Sequence, residues 1–368
     1  MTTGRAKTFS LARKIVFSAI TILLLFALIE GGLRLFGFSF KPSYSIHAQG
    51  RWASHGVQQD PTLPWSWTPI PGALCHIDGR VDFHFNQLGY RGALFQKEKA
   101  RDSLRIVCMG DSGTMGWGVR DGDMYCSQVQ SILEAKCGKK VETINAGVFG
   151  YTSFQGLHQL KNKIIELHPD IITICYNWND HAAAIRIASL SGKEAWEKGV
   201  PTTDKALYRP QAYSGLVQLF SNSRIFQLLQ YAALNVASLS DSKQVEEKSD
   251  SDAELLRVPL EDYKNNLEKI IQTARENGIT PILLTQSFNP KKVDMPEVNI
   301  HYKRQQLYND AIREVAAKTK VICVDPTTVL ETNSKFFNSN THPTKAGHNR
   351  IAMLLAREIA RQNCGLQE

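Results

Sequence analysis

From residue 104 onward, the sequence predicts an α/β fold: a flavodoxin-like, three-layer parallel sheet with helices on both faces. Short apolar runs alternate there with longer amphipathic segments, which is typical of strand–helix–strand units. Parallel strands need such crossovers, and these place the helices against the sheet. The predicted strands are Leu104–Met109, Val141–Asn145, Ile171–Tyr176, Ile279–Thr285 and Val321–Val324. The predicted helices are Gln128–Ala135, Phe154–Leu167, Leu260–Asn277, Tyr302–Lys318 and Ala346–Arg361.

The chain is long enough for one large domain with additions. It has 368 residues, of which 43% are hydrophobic, so a substantial core can form. We predict a basic cytoplasmic tail at 1–14, a transmembrane signal anchor at 15–38, an extension at 39–103 and the α/β domain at 104–362. An insertion at 181–258 interrupts this domain, and its polar tail Ser238–Asp252 has the composition of a mobile loop.

The segment from Ile15 to Phe38 is apolar enough to cross a membrane. At about 1.5 Å per residue, it could span a hydrocarbon core of roughly 30 Å. Glu30 and Arg34 have the i,i+4 spacing that lets them pair at the outer interface. Four preceding cations favour a cytoplasmic amino terminus, namely Arg5, Lys7, Arg13 and Lys14.

We therefore expect a single-pass protein of a bacterial inner membrane whose folded domain faces the periplasm or the cell exterior. A cleaved signal peptide is the alternative, although Ala27–Glu30 does not have the small-x-small pattern of a cleavage site. The sequence does not indicate an oligomeric state.

Charge and cysteine usage exclude some partners. The formal net charge is +8, but the basic residues are not clustered, so we predict no nucleic-acid partner. The cysteines show no metal-ligand spacing, and we predict neither a metal nor another cofactor. Cys108, Cys175 and Cys323 lie in predicted strands as buried thiols. One disulfide is possible, and its pairing stays open among Cys75, Cys126, Cys137 and Cys364.

The extension differs in composition from the α/β domain. Five prolines disfavour helices between residues 42 and 71. Leu74–Ile77 and Arg80–Phe85 flank Asp78-Gly79, which predicts a hairpin with a tight turn. We expect this small β lobe to pack against the α/β domain, with Trp65 and Trp67 either in that contact or facing a sugar substrate.

The stretch Met109–Gly116 places a serine where a strand ends and a helix begins. Gly110 allows the chain to turn tightly before Asp111 and Ser112. A serine at a helix N-terminus lies beside backbone amides that can bind a developing oxyanion. The sequence thus predicts a nucleophile at Ser112. The alternative is an ordinary turn with Asp111 or Ser112 as N-cap.

Three further polar blocks lie at comparable positions. Asn145-Ala146-Gly147 and Asn177-Trp178-Asn179-Asp180 each follow a predicted strand, and Ser339-Asn340-Thr341-His342 comes shortly before the last helix. Sites in parallel sheets gather beyond the carboxyl ends of the strands. We therefore expect these blocks to meet Ser112.

In this order, the four blocks resemble those of the SGNH/GDSL hydrolase family, over roughly residues 100 to 362. The resemblance implies that Ser112 is the nucleophile and His342 the base. It also implies an oxyanion hole made by the backbone amides of Ser112 and Gly147 and the side-chain amide of Asn179. The tract Asn86–Gly92 is similar to a leader in membrane-anchored members of the family.

Two positions depart from the family pattern. Asn177 occupies the usual glycine position of the third block, and Ser339 occupies the position of the aspartate that orients the histidine. We therefore expect a Ser–His dyad in which either a backbone carbonyl or Ser339 holds His342. His181 and His348 are assigned to structure or to the rim of the site, and Asp111 to local hydrogen bonding.

The resemblance implies a serine esterase that hydrolyses O-acyl esters, above all O-acetyl esters, of an extracytoplasmic glycan or lipid. An O-acyltransferase of polysaccharide modification would use the same Ser112 and His342. A non-catalytic glycan-binding or assembly protein is the third possibility, because Ser339 replaces the aspartate.

Overall fold

The structure is a computed structural model. It describes residues 10–38, 56–60, 63, 66–75, 82–187, 200–208, 220, 222–229, 231–232, 255–292, 298–331 and 333–364. The predicted mobile tail 238–252 and the turn Asp78-Gly79 lie outside these residues, as do Trp52 and Trp65.

Eleven strands lie within the described residues. They are β1 (Val57–Gln59), β2 (Trp67–Pro69), β3 (Leu74–Cys75), β4 (Phe83–His84), β5 (Ser103–Gly110), β6 (Lys140–Asn145), β7 (Ile171–Cys175), β8 (Ile185–Ile187), β9 (Val200–Thr202), β10 (Thr280–Leu284) and β11 (Ile322–Val324). Five of them form one parallel sheet in the order β11–β10–β7–β5–β6. This is the flavodoxin-like order, and the predicted fold class is confirmed.

The labelled α-helices are α1 (Leu11–Leu35), α2 (Ser112–Met115), α3 (Tyr125–Cys137), α4 (Ser153–Gln159), α5 (Asp204–Leu207), α6 (Leu260–Glu276), α7 (Val298–Thr319), α8 (Thr327–Leu330) and α9 (Lys345–Asn363). Residues 224–229 are also helical. The predicted helix Phe154–Leu167 is only partly α-helical. It continues from α4 as a π turn at Leu160–Ile164, where Ile165 N–H bonds to the carbonyl of Leu160, and then as a 3₁₀ turn at Ile165–Leu167.

Two apolar clusters cover the two faces of the sheet. Successive strand residues point to opposite faces, so Val107 packs into the cluster with Leu160, Ile270 and Ile312 on one side. Ile106 and its neighbours on the other face pack against α3 and α9, which contribute Val129, Leu133, Leu355 and Ile359. The sheet is therefore the middle layer of three.

The extension forms small antiparallel pairs, β1 with β2 and β3 with β4. The second pair has the strand pairing predicted for the hairpin. Trp67 is buried, and its indole N–H donates to the carbonyl of Phe149 at 3.0 Å. The alternative that Trp67 faces a substrate is wrong, because its ring packs the extension onto the α/β domain.

Within helix α1, a window of 18 residues has a mean hydropathy of 2.3, and none of the helix's residues is buried, so the helix is long and apolar enough to cross a membrane. It begins at Leu11 and ends at Leu35, earlier than the predicted Phe38, since Gly37 adopts a left-handed φ of 69°. Glu30 and Arg34 form the predicted ion pair at 2.7 Å.

One disulfide joins Cys137, at the end of α3, to Cys364, directly after α9, with Cα atoms 5.4 Å apart. It ties together two helices on the same face of the sheet. Cys108 and Cys175 are buried thiols, as predicted, whereas Cys323 is only half-buried.

Candidate active site

The nucleophile turn joins β5 to α2. Asp111 is the N-cap of α2, and its Oδ1 accepts a hydrogen bond from Gly113 N–H at 2.8 Å. A Cβ at Gly110 would lie 2.6 Å from the carbonyl oxygen of Cys175, so only glycine fits there. Ser112 is half-buried, and its backbone N–H bonds to none of the described residues. The serine therefore presents a hydroxyl and an amide proton side by side.

His342 lies within hydrogen-bonding distance of two serines. Its Nε2 is 2.8 Å from Ser112 Oγ, and its Nδ1 is 2.8 Å from Ser339 Oγ. The loop that carries these residues is closed by a hydrogen bond from Asn338 N–H to the carbonyl of His342 at 2.8 Å. With the proton on Nδ1, the imidazole donates to Ser339 and accepts from Ser112.

Ser339 thus occupies the place where a carboxylate orients the base. Of the two expected ways of holding His342, the structure shows the one through Ser339. A hydroxyl can select the Nδ1–H tautomer, but its neutral oxygen stabilises an imidazolium less than a carboxylate does.

Trp117 was not identified from the sequence, yet it lies against the base. Its ring stacks on the imidazole of His342 with centroids 6.0 Å apart, and it also contacts the edge of Phe149. The half-buried indole covers one face of the imidazole. This stacking limits rotation of the base away from Ser112.

Asn179 is connected to the nucleophile turn through Asp111. Its Nδ2 donates to the carbonyl of Tyr151 at 3.1 Å and to Asp111 Oδ2 at 3.3 Å. The same oxygen accepts a stronger hydrogen bond from Gln286 Nε2 at 2.8 Å. Burial raises the pKa of Asp111 to about 6. Asp111 therefore does more than cap α2, because it also orients the amide of Asn179.

Gly147 packs directly against the nucleophile helix. A Cβ there would lie 2.4 Å from the backbone nitrogen of Met115, so the loop after β6 requires glycine. Its own N–H donates to Asn145 Oδ1 at 3.0 Å. In the same loop, Gly150 has a φ of 73°, and its N–H bonds to none of the described residues.

A buried arginine from the extension supports the other end of α2. The guanidinium of Arg91 donates to the carbonyls of Met115 at 2.8 Å, Gly116 at 2.6 Å and Val119 at 2.5 Å. It also pairs with Asp121 at 3.0 Å. Only the tract Asn86–Gly92, which contains Arg91, was recognised from the sequence; the contact could not be predicted, because the carbonyl partners depend on the tertiary fold.

Two other histidines considered from the sequence, His181 and His348, bond to neither Ser112 nor His342. His181 is buried and bonds through Nε2 to Gln305 Oε1 at 3.0 Å, and burial lowers its pKa to about 4. His348 accepts from Tyr125 N–H at 3.2 Å, and burial lowers its pKa to about 3. Both are neutral structural residues.

Asn177 is also buried, and its Nδ2 donates to Asn309 Oδ1 at 2.9 Å. At the position where the family usually has glycine, this chain therefore uses an amide that fastens the loop to α7.

The fold and the four-block site agree with a comparison against protein families. The model of the GDSL-like lipase/acylhydrolase family matches residues 108–350, well over half of the chain. The chain belongs to this family. Family membership confirms the enzyme class predicted from the sequence, a carboxylic ester hydrolase. A comparison with curated proteins gives no match.

Solved structures of GDSL proteins are similar to this one. A lipase/acylhydrolase from Enterococcus faecalis has 18% identity and a TM-score of 0.45, covering 72% of this chain and all of its own (100%). An acetylxylan esterase from Geobacillus stearothermophilus has 18% identity and a TM-score of 0.42, covering 72% of this chain and 95% of its own. A GDSL-like lipase from Bacteroides thetaiotaomicron has 16% identity and a TM-score of 0.41, covering 70% of this chain and 88% of its own.

Proposed function

We propose that this GDSL-family protein is a membrane-anchored serine esterase that removes O-acyl groups, above all O-acetyl groups, from an extracytoplasmic glycan or lipid. The observation that carries the proposal is the chain of contacts from Ser112 to His342 to Ser339, with both distances 2.8 Å. A hydroxyl, a base and a group that orients the base are the requirements for nucleophilic acyl transfer.

In the proposed mechanism, His342 Nε2 takes the proton of Ser112 as Oγ attacks the ester carbonyl. The tetrahedral intermediate collapses when the imidazolium protonates the leaving alcohol, which leaves an acyl group on Ser112. Water then attacks the acyl-enzyme with His342 again as base, and the acid is released. Throughout, Ser339 accepts the Nδ1–H of the imidazole.

The oxyanion would be bound by the free N–H of Ser112, by the amide of Asn179 and by an N–H of the loop after β6. Both hydrogens of Asn179 already have acceptors in the structure, so the oxyanion would replace the longer bond, to Asp111. Gly147 N–H would have to break its hydrogen bond to Asn145 Oδ1 before it could donate to the oxyanion. Gly150 is the alternative donor in this loop. Loss of one such donor typically lowers kcat by about 10²–10³-fold.

The location outside the cytoplasm is supported by two features. The apolar helix α1 follows the basic residues of the amino terminus, an arrangement that favours a cytoplasmic amino terminus. The Cys137–Cys364 disulfide fits an oxidising compartment. We propose the same division of the chain as from the sequence, with tail, anchor, extension and catalytic domain meeting at residues 14, 38 and 103.

The test is release of acetate from acetylated xylan by the full-length protein in detergent, beside Ser112→Ala. We expect acetate from the parent and none from the variant. Ser287→Ala is the matched control, because Ser287 is a buried serine outside the dyad. Equal release by the parent and Ser112→Ala would refute the proposed nucleophile.

The two alternatives predict different products in the same assay. An O-acyltransferase would form acylated acceptor glycan, rather than free acetate, when donor and unacetylated xylan are both present. A glycan-binding protein, which the neutral Ser339 favours, would bind xylan equally well with and without Ser112 and release nothing.

A further inference from the structure

A polar contact joins the outer end of α1 to a part of the insertion that is distant in sequence. The carboxylate of Glu30 accepts hydrogen bonds from the backbone N–H groups of Arg224 and Ile225, both at 3.0 Å. It also accepts from the hydroxyl of Ser223 at 3.1 Å. The described residues here, 220, 222–229 and 231–232, are hereafter the docked segment.

This contact fixes the level of the docked segment along α1. From Leu11 to Glu30, the helix rises about 29 Å at 1.5 Å per residue, close to the roughly 30 Å of a hydrocarbon core. One turn beyond, Arg34 donates to the carbonyl of Asn222 at 2.9 Å. When α1 spans a membrane, the docked segment therefore lies at the outer boundary of the hydrocarbon.

The docked segment exposes apolar and aromatic side chains at this level. The exposed fractions are 47% for Phe220, 37% for Leu228, 62% for Leu229 and 39% for Tyr231. Its backbone is helical over 224–229, and the N–H groups at the start of this helix donate to the side chains of Glu30 and Ser223. These backbone groups therefore have partners at a level where water is scarce. Aromatic residues and cations beside an apolar face are typical of elements that lie in the membrane interface.

We propose that the docked segment inserts these side chains into the outer leaflet of the bilayer that α1 crosses, at the boundary between glycerol and acyl chains. The inference rests on the proposed membrane anchoring of α1. The insertion also begins and ends beside the active site, since Val258 N–H donates to the carbonyl of Asp180, the neighbour of Asn179, at 3.0 Å. It therefore links the rim of the active site to the membrane surface at a second point besides α1.

The test uses the full-length protein in phosphatidylcholine vesicles that contain a phosphatidylcholine with a diazirine near the carbonyl end of one acyl chain. After photolysis, adducts are mapped by peptide mass spectrometry. We expect adducts on α1 and on the docked segment. Ile300 and Leu307 on α7 are the matched controls, because their exposed fractions of 48% and 49% are close to the 47% of Phe220, and we expect no adducts there.

The outcomes separate this inference from the anchoring on which it rests. Adducts on α1 without adducts on the docked segment overturn the inference and leave the anchor intact. An α1 without adducts refutes the anchor itself. Adducts on Ile300 and Leu307 that are as frequent as those on the docked segment would also overturn the inference, since labelling would then reflect solvent exposure alone.

A variant tests the contact that holds the segment. Glu30→Ala removes the acceptor of three hydrogen bonds from the docked segment. Adducts on the docked segment should therefore fall at least about five-fold in this variant, while adducts on α1 persist. Thr21→Ala is the control within α1, because among the described residues that hydroxyl bonds to the carbonyl of Phe17 in its own helix and not to the docked segment. Undiminished adducts on the docked segment of Glu30→Ala would contradict the role of this contact.

Discussion

Replacing Ser339 tests how the base is oriented. The Nδ1–H of His342 donates to Ser339 Oγ at 2.8 Å, and such a bond contributes about 1–1.5 kcal/mol. Because this bond favours the tautomer with the proton on Nδ1, Ser339→Ala should lower kcat/KM by about ten-fold. Ser339→Asp supplies a charge-assisted bond of about twice the strength, and should raise kcat/KM about ten-fold above the parent. Ser339→Asn is the uncharged control of similar size.

The assay is steady-state hydrolysis of p-nitrophenyl acetate by the full-length protein from pH 5 to pH 9. A carboxylate beside the imidazole favours its protonated form, so the acidic limb of the pH–rate profile of Ser339→Asp should move to higher pH. Thermal unfolding of each variant checks that the fold is kept. The reasoning is refuted if Ser339→Ala matches the parent within about two-fold and Ser339→Asp is no faster.

Three further predictions concern stability. Arg91→Lys leaves carbonyls at the end of α2 and just after it without a donor, so it should lower the free energy of unfolding by about 3 kcal/mol and Tm by roughly 6–12 °C. Arg120→Lys, at an exposed position, should have little effect, and equal shifts in the two variants would contradict the role of Arg91. The double variant Cys137→Ser, Cys364→Ser removes the disulfide, which joins residues 227 positions apart. It should lower the free energy of unfolding, measured in urea, by about 2–4 kcal/mol. Cys323→Ser is the control there, and an unchanged midpoint in the double variant would rule out a stabilising disulfide. Burial lowers the pKa of His348 to about 3, so its stabilising contribution is complete above pH 6.5 and is lost as the pH falls toward 3. The stability difference between the parent and His348→Gln should therefore shrink by about 2 kcal/mol from pH 7.5 to pH 5. A constant difference would mean that the pKa of His348 is the same in the folded and the unfolded state, and would contradict this prediction.

The five strands of the sheet were predicted to within one or two residues. The three central strands, β5, β7 and β10, are short, largely apolar runs that are buried on both faces, such as Ser103–Gly110 where Leu104–Met109 was predicted. The two edge strands, β6 and β11, are only partly buried. The helical spacing of apolar residues also predicted the long helices, because one face of each helix must be apolar to pack against the sheet. The interrupted helix after Ser153 was missed, since a π turn changes the hydrogen bonding without changing the apolar pattern.

The site was predictable where chemistry depends on residue type and order. Ser112 and His342 were predicted as a pair, and the structure places their side chains in contact. The partner of His342 was predicted only as one of two alternatives, because a serine hydroxyl and a backbone carbonyl both accept an Nδ1–H. Gly147 was predicted as an oxyanion donor, but the direction of its N–H depends on Asn145, which no local pattern specifies.

Contacts between distant segments could not be predicted from the sequence. Arg91 reaches carbonyls that follow Ser112 because the extension pairs with the last residue of β6, through Arg91 N–H and the carbonyl of Asn145. The pairing of Cys137 with Cys364 likewise depends on α3 and α9 packing side by side. Trp117 received no role because stacking on His342 leaves no signal in residue spacing.

The most direct test of Ser112 as a nucleophile activated by His342 is covalent labelling with a fluorophosphonate, followed by intact-mass and peptide mass spectrometry. We expect one adduct per chain of the full-length protein, located on Ser112 and formed at least about 100-fold more slowly in His342→Gln. His348→Gln, which changes a histidine outside the dyad, should label at the parental rate. No adduct on folded protein, or an adduct on another residue that survives Ser112→Ala, would contradict the proposed mechanism.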